Sequence, residues 1–127
     1  MLFLYPAVFH VEDESYWVEF PDLEGCQSFG DTLTETMENA QEALSAYLLT
    51  ILEEGRDIPT PSDISSIANP EDGFVSLVSC NLNQYHETKA VKKTLTIPSW
   101  LNDRAIARGI NFSQTLQEAL IQKLQEN

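Results

Sequence analysis

Residues Lys92-Lys93-Thr94-Leu95-Thr96-Ile97-Pro98 alternate polar and apolar and then stop at a proline. Alternation at period two predicts a strand with one buried face, here Leu95 and Ile97, and an outward face of Lys92, Thr94 and Thr96. Two short helical patterns follow. Leu101, Ala105 and Ile106 line the first, which Gly109 ends, and Pro98 suits its opening turn. Leu116, Ala119, Leu120, Ile121 and Leu124 line the second, with Ser113 as its expected cap. The stretch 91–127 is shorter than the ~40 residues at which a domain usually folds unaided. Its lone strand also leaves backbone groups unpaired. The economical solution is a two-fold dimer in which two copies of Thr94–Ile97 pair antiparallel and four helices close over them. Leu95, Ile97, Leu101, Phe112, Leu116 and Leu120 are the expected dimer-burying residues.

Charge divides the chain in the same place. Met1 to Thr88 holds seventeen Asp and Glu against Arg56 alone, whereas Lys89 to Asn127 holds six Lys and Arg against three acids. A net −13 thus splits into a strongly acidic lobe and a basic tail. The lobe repels nucleic acid and attracts cationic surfaces, and the tail is the candidate for binding a polyanion. The bland alternative for the lobe is a surface that merely aids solubility. No apolar run approaches the ~18–20 residues that span a bilayer, and the start lacks the marks of a signal peptide. With Cys26 and Cys80 expected to be reduced, buried thiols, the reading is a cytoplasmic protein with no membrane and no cofactor.

The lobe reads as α+β. Phe3 to Val11 is a first strand, with Tyr5, Ala7, Phe9 and Val11 on one side and Pro6 placing its beginning at an edge. A polar turn at Glu12–Ser15 leads to a second strand, Tyr16 to Phe20, stopped by Pro21-Asp22. Gly25 to Phe29 is a third, so the three form an antiparallel meander. Thr32-Leu33-Thr34-Glu35 has the form of a capping box. It opens a helix striped by Met37, Ala40, Leu44, Tyr47, Leu48, Ile51 and Leu52, and Gly55 closes it. An irregular stretch from Ile58 to Pro70 precedes a last strand, Gly73 to Cys80. Following a helix, that strand is expected to return parallel to an earlier one by a crossover. The domains are therefore 1–82, a hinge at 83–90, and 91–127.

The run Thr96-Ile97-Pro98-Ser99-Trp100-Leu101, with Gly109 to Leu120, resembles the C-terminal half of HicB-type antitoxins, whose tail is a ribbon-helix-helix DNA-binding module. Val18-Glu19-Phe20-Pro21-Asp22-Leu23-Glu24-Gly25-Cys26, then Gly30-Asp31-Thr32, Glu38-Asn39-Ala40 and Glu42-Ala43-Leu44, is similar to that family's N-terminal half. The resemblance implies a partial ribonuclease-H-like β-β-β-α-β lobe followed by a dimeric ribbon-helix-helix. It further implies that the lobe binds and neutralises a small basic RNA-cleaving HicA-type toxin, and that the tail represses the operon encoding the pair. Operator DNA, the toxin and a second copy of the chain are the partners so implied.

Under this reading a two-stranded ribbon enters the major groove with Lys92, Thr94 and Thr96 facing the bases or phosphates. Ser113 and the free amides at its helix start hold a phosphate. The family more often carries amide or basic residues at the Thr94 and Thr96 positions. Lys93 falls on the inward side and snorkels outward. Glu12, Asp13, Glu14, Tyr16, Asp22 and Glu24, acids beside aromatics, are the expected toxin-facing residues, and Trp17 alternates with Tyr16 so that one of the two is exposed to a partner. Asp22, Glu24 and Asp31 also invite a two-metal nuclease reading. The acidity of the whole lobe and the family's inactivity weigh against that reading, so no catalytic or metal-binding residue is assigned. His10 and His86 have no partner at ligand spacing. A repressor whose lobe senses a small ligand is the remaining alternative.

Overall fold

The computed structural model describes residues 2–82 and 90–125. The chain divides into two compact units, Leu2–Leu82 and the residues from 83 onward. Apart from Ala90, the expected hinge lies outside the described residues.

In the first unit, β1 (Leu2–Glu12), β2 (Ser15–Glu19) and β3 (Gln27–Gly30) form the expected meander, and β4 (Gly73–Asn81) completes a sheet in the order β3-β2-β1-β4. Each neighbouring pair is antiparallel. The expectation of a parallel return for the last strand is thus wrong. The reason is the route taken by the chain. Helix α1 (Leu33–Glu53) starts beside Gly30 and carries the chain to the opposite end of the sheet, where the Tyr5 hydroxyl donates to the Pro59 carbonyl. The irregular segment after it then climbs back, by way of a 3-10 turn at Ile64–Ser66, until Val11 N–H donates to the Asp72 carbonyl at 2.8 Å. The extra pass reverses the sense of β4, which enters with Gly73 opposite His10 and leaves with Asn81 opposite Leu2.

The register also accounts for Pro6. β2 pairs only with Val8 to Glu12 of β1, so Leu2 to Ala7 have a neighbour on the β4 side alone. Val11 N–H is turned toward the β4 side, and backbone direction alternates along a strand, so even-numbered residues face β2. Pro6 therefore lacks an N–H only where there is no ladder to receive one. The beginning of β1 is an edge in that restricted sense, within a strand that is otherwise central.

Face alternation sorts the core. Phe3, Tyr5, Ala7 and Phe9 of β1, Val18 of β2, and Val78 and Cys80 of β4 are buried together against Ala40, Leu44, Leu48 and Ile51 of α1. Phe9 and Phe74, cross-strand partners, stack with ring centroids 5.1 Å apart. Val11, expected on the buried side with Phe9, is 41% exposed and lies outside the core. Thr32 caps α1 by accepting from Glu35 N–H at 3.1 Å, while the Glu35 carboxylate accepts from Asp31 N–H rather than from the cap itself. Gly55, at φ 73°, ends the helix in the left-handed region.

The second unit contains α2 (Ser99–Ala107) and α3 (Phe112–Leu124). Two corrections arise here. Residues 90–98 form neither helix nor strand, because a strand needs a neighbour for its backbone groups and alternation alone does not supply one. The cap of α3 is Asn111, whose side chain accepts from Gln114 N–H at 3.0 Å, and not Ser113, which lies inside the helix and accepts from Gln117 at 3.1 Å. Asparagine is as good a cap as serine, so the helix starts at the earlier of two competent residues.

Neither α2 nor α3 buries a single residue. Leu95 is 64% exposed and Leu120 53%, with Ile97, Trp100, Leu101, Ile106 and Phe112 also exposed.

Candidate functional site

The loop between β2 and β3 is built from the run Pro21 to Cys26. Leu23 and Cys26 are buried beneath it, and three backbone bonds tie it: Leu23 N–H to the Phe20 carbonyl, Cys26 N–H to Leu23, and Phe20 N–H to Cys26. Gly25 turns the chain at φ 81°. Tyr47 of α1 donates its hydroxyl to the Glu24 carbonyl at 2.8 Å. The Asp22 carboxylate accepts from both the backbone N–H, at 2.9 Å, and the hydroxyl of Ser62. This loop is therefore an architectural knot that pins the returning segment to the meander.

Burial, then the charge of Asp22 and Cys80, raises the Tyr5 hydroxyl to about 12, so it stays a donor to Pro59. Burial pushes the Cys26 thiol up to about 11 with a contribution from Cys80, and raises Cys80 as well despite a hydrogen bond with Ser45. Both cysteines are free, buried thiols, as expected.

The six residues expected to face a partner fall into two groups. Glu12, Asp13, Glu14 and Tyr16 sit at the β1–β2 turn, whereas Asp22 and Glu24 sit in the loop beyond the other end of β2. The five residues of β2 separate the turn itself from that loop, roughly 17 Å at ~3.3 Å per residue. Asp13 and Glu14 both have positive φ, 49° and 67°, as the two central residues of a tight hairpin turn. Beside that turn lies a groove of about 700 Å³, lined by Glu12, Asp13, Tyr16, Trp17, Phe29 and Asp31 among others. Phe29 was not singled out from the sequence as a site residue. The signal lay in the alternation, since the meander pairs Phe29 directly with Trp17 on the face away from α1.

On that face His10 stacks on Trp17, with ring centroids 3.9 Å apart and planes 10° from parallel. His10 Nε2 lies 3.4 Å from the Glu19 carboxylate and has no hydrogen-bond partner. Asp22, Glu24 and Asp31, weighed above as metal ligands, are not gathered. Among the described residues no three His, Cys, Asp or Glu side chains are grouped so that they would hold a metal ion. No helix there is long and apolar enough to cross a membrane.

In the tail, Lys92, Thr94, Thr96 and Ser113 are all exposed. The structure does not bring the first three onto a ribbon. At α3 the first-turn amides are partly satisfied by the Asn111 cap.

Comparison with known proteins agrees with this architecture. The family described as HicB-like antitoxin of bacterial toxin-antitoxin system matches residues 5–124. A protein of Haemophilus phage HP1, described as an uncharacterised 14.9 kDa protein in the rep-hol intergenic region, is 38% identical over 104 residues, 80% of this chain and 77% of that one. A solved toxin–antitoxin complex from Streptococcus pneumoniae superposes with a TM-score of 0.63 at 34% identity, covering 97% of this chain and 99% of that one. The crystal structure of Burkholderia pseudomallei antitoxin HicB gives a TM-score of 0.67 at 27% identity, covering 96% and 98%. A sheet-and-helix lobe pinned by its Pro21–Cys26 loop and a two-helix tail, matched together along nearly the whole length, place this chain in the HicB-like antitoxin family.

Proposed function

We propose that this protein neutralises a small basic HicA-type ribonuclease toxin by covering it, and represses the operon of the pair through its tail. The observation that carries the reading is the family match across both units, 5–124. The similar chain from Streptococcus pneumoniae comes from a toxin–antitoxin complex, which supports a toxin as partner. The partial ribonuclease-H-like description of the lobe comes from the family resemblance and from the same β-β-β-α-β order.

Physical chemistry supports each half. An acidic lobe attracts a cationic protein over distances up to a Debye length and speeds its capture. Occlusion needs no catalytic group. In the tail, two helices without a buried residue, preceded by a segment without a pairing partner, form a stable body once a second copy supplies both. The paired 92–97 segments then present Lys92, Thr94 and Thr96 to a major groove, with Ser113 near a phosphate.

The test is co-expression with its cognate HicA-type toxin, to be sought as a basic reading frame beside this gene. Growth arrest by the toxin alone, relief by this protein, and a shifted promoter fragment are the expected results. A toxin whose activity is untouched by an excess of this protein would overturn the antitoxin reading.

A further inference from the structure

Across the sheet face that α1 does not cover, three rings lie in one row. His10 stands opposite Trp17, and Trp17 opposite Phe29, on three consecutive strands. The first two are stacked on one another, which leaves Phe29 at the outer end on the short edge strand β3, 76% exposed. The groove beside this row is also lined by three acidic residues, Glu12 and Asp13 from the hairpin turn and Asp31 just after β3. The lobe's one arginine or lysine, Arg56, pairs with Glu54, so no guanidinium or ammonium side chain of the lobe neutralises them.

An aromatic floor with acidic walls selects for one kind of side chain. A guanidinium lies flat on indole and phenyl rings and forks its N–H donors to carboxylates, while an ammonium gains the charge but not the stacking. A second acidic lobe is the wrong occupant, since it would bring its own carboxylates to the same place.

We propose that this groove is where a basic protein partner docks, with an arginine laid on Trp17 and Phe29 and tied to Glu12, Asp13 or Asp31. The proposal rests on the antitoxin reading above and deepens it, by choosing the turn cluster over the loop cluster and naming the anchor on the partner. Asp22 and Glu24 drop out, the first committed to Ser62 and both at the other end of β2.

Full-length protein carrying Trp100→Phe leaves Trp17 as the sole indole, so its fluorescence reports the groove. Titration at low salt with arginine-rich, lysine-rich and glutamate-rich hexapeptides is the first measurement. A saturable change with arginine, about fivefold weaker with lysine and absent with glutamate, is expected. Phe29→Ala and Asp31→Asn, both at surface positions, should each weaken the arginine response about fivefold. Equal responses to arginine and lysine, or an unchanged response in Phe29→Ala, would overturn the proposal. The second measurement uses the purified cognate HicA-type toxin. If wild type binds it and Phe29→Ala/Asp31→Asn binds it equally well, the groove assignment is wrong while the antitoxin reading stands. If wild type does not bind it, the antitoxin reading fails, and the peptide titration still decides what the groove takes.

Discussion

Asp22 and Ser62, 40 positions apart, are joined by two hydrogen bonds into one carboxylate. The bond pair is the clasp that holds the returning segment against the β2–β3 loop, and it turns a residue with the look of a binding-site acid into a structural one. Replacing Asp22 with Ala should cost about 1–2 kcal/mol in urea unfolding, as for a charged hydrogen-bond acceptor at a partly exposed site. Amide exchange at Ser62 should quicken more than exchange in β1.

Under the proposed function, toxin capture should distinguish the two acidic groups. Neutralising Glu12, Asp13 and Glu14 together should slow association at low salt by roughly tenfold and flatten its salt dependence. Glu24→Gln should leave the rate close to wild type. Stopped-flow mixing at two ionic strengths makes the comparison.

Glycine positions test the packing of the sheet. A Cβ on Gly73 would stand 1.8 Å from the Phe9 carbonyl oxygen, and one on Gly30 would stand 2.6 Å from Thr36 Oγ1 and 2.8 Å from its backbone nitrogen. Gly73→Ala has to push the β1–β4 ladder apart and should cost about 3 kcal/mol, near the upper end for overpacking. Gly30→Ala separates β3 from α1 and should cost about 2 kcal/mol, with the loss concentrated in β3 exchange protection.

Alkaline pH should weaken the lobe in two stages. Cys26 is raised from 9.0 to about 11 and Tyr5 from 10.0 to about 12. A proton held more tightly by the folded form means that folding is favoured below the unfolded value and that the advantage is lost as pH rises toward the folded one. Stability should therefore be flat near pH 8, fall between 9 and 11 through Cys26 with Cys80 adding to the loss, and fall again between 10 and 12 through Tyr5. Tyr5→Phe should flatten the upper stage, as followed by urea midpoints across the range.

The tail makes its own prediction. Leu120→Glu places a charge where the proposed dimer buries an aliphatic side chain, and should leave a monomer in sedimentation with operator binding lost and toxin capture retained. Lys92→Ala should weaken DNA binding on every sequence and shallow the salt slope by about one unit. Thr96→Ala should instead alter sequence preference. Unchanged operator binding in both variants would remove the ribbon as the reading surface.

Much of this protein was written in short-range pattern. Period-two alternation, the Thr32 cap and the terminating glycines at 55 and 109 each depend on residues a few positions apart, and the split of charge between lobe and tail needs only a count along the chain. The chain alone was enough to read them, and its motifs were enough to point to the family. What only the tertiary structure decided was the product of distant encounters. The sense of β4 depended on how far an irregular segment travelled before Gly73. The surroundings of Asp22 and Asp13 depended on what the fold brought beside them, a Ser62 amide for the first and an open groove for the second. Local sequence sets which conformation a segment prefers, whereas a carboxylate's task is set by whatever the rest of the fold delivers to within 3 Å of it.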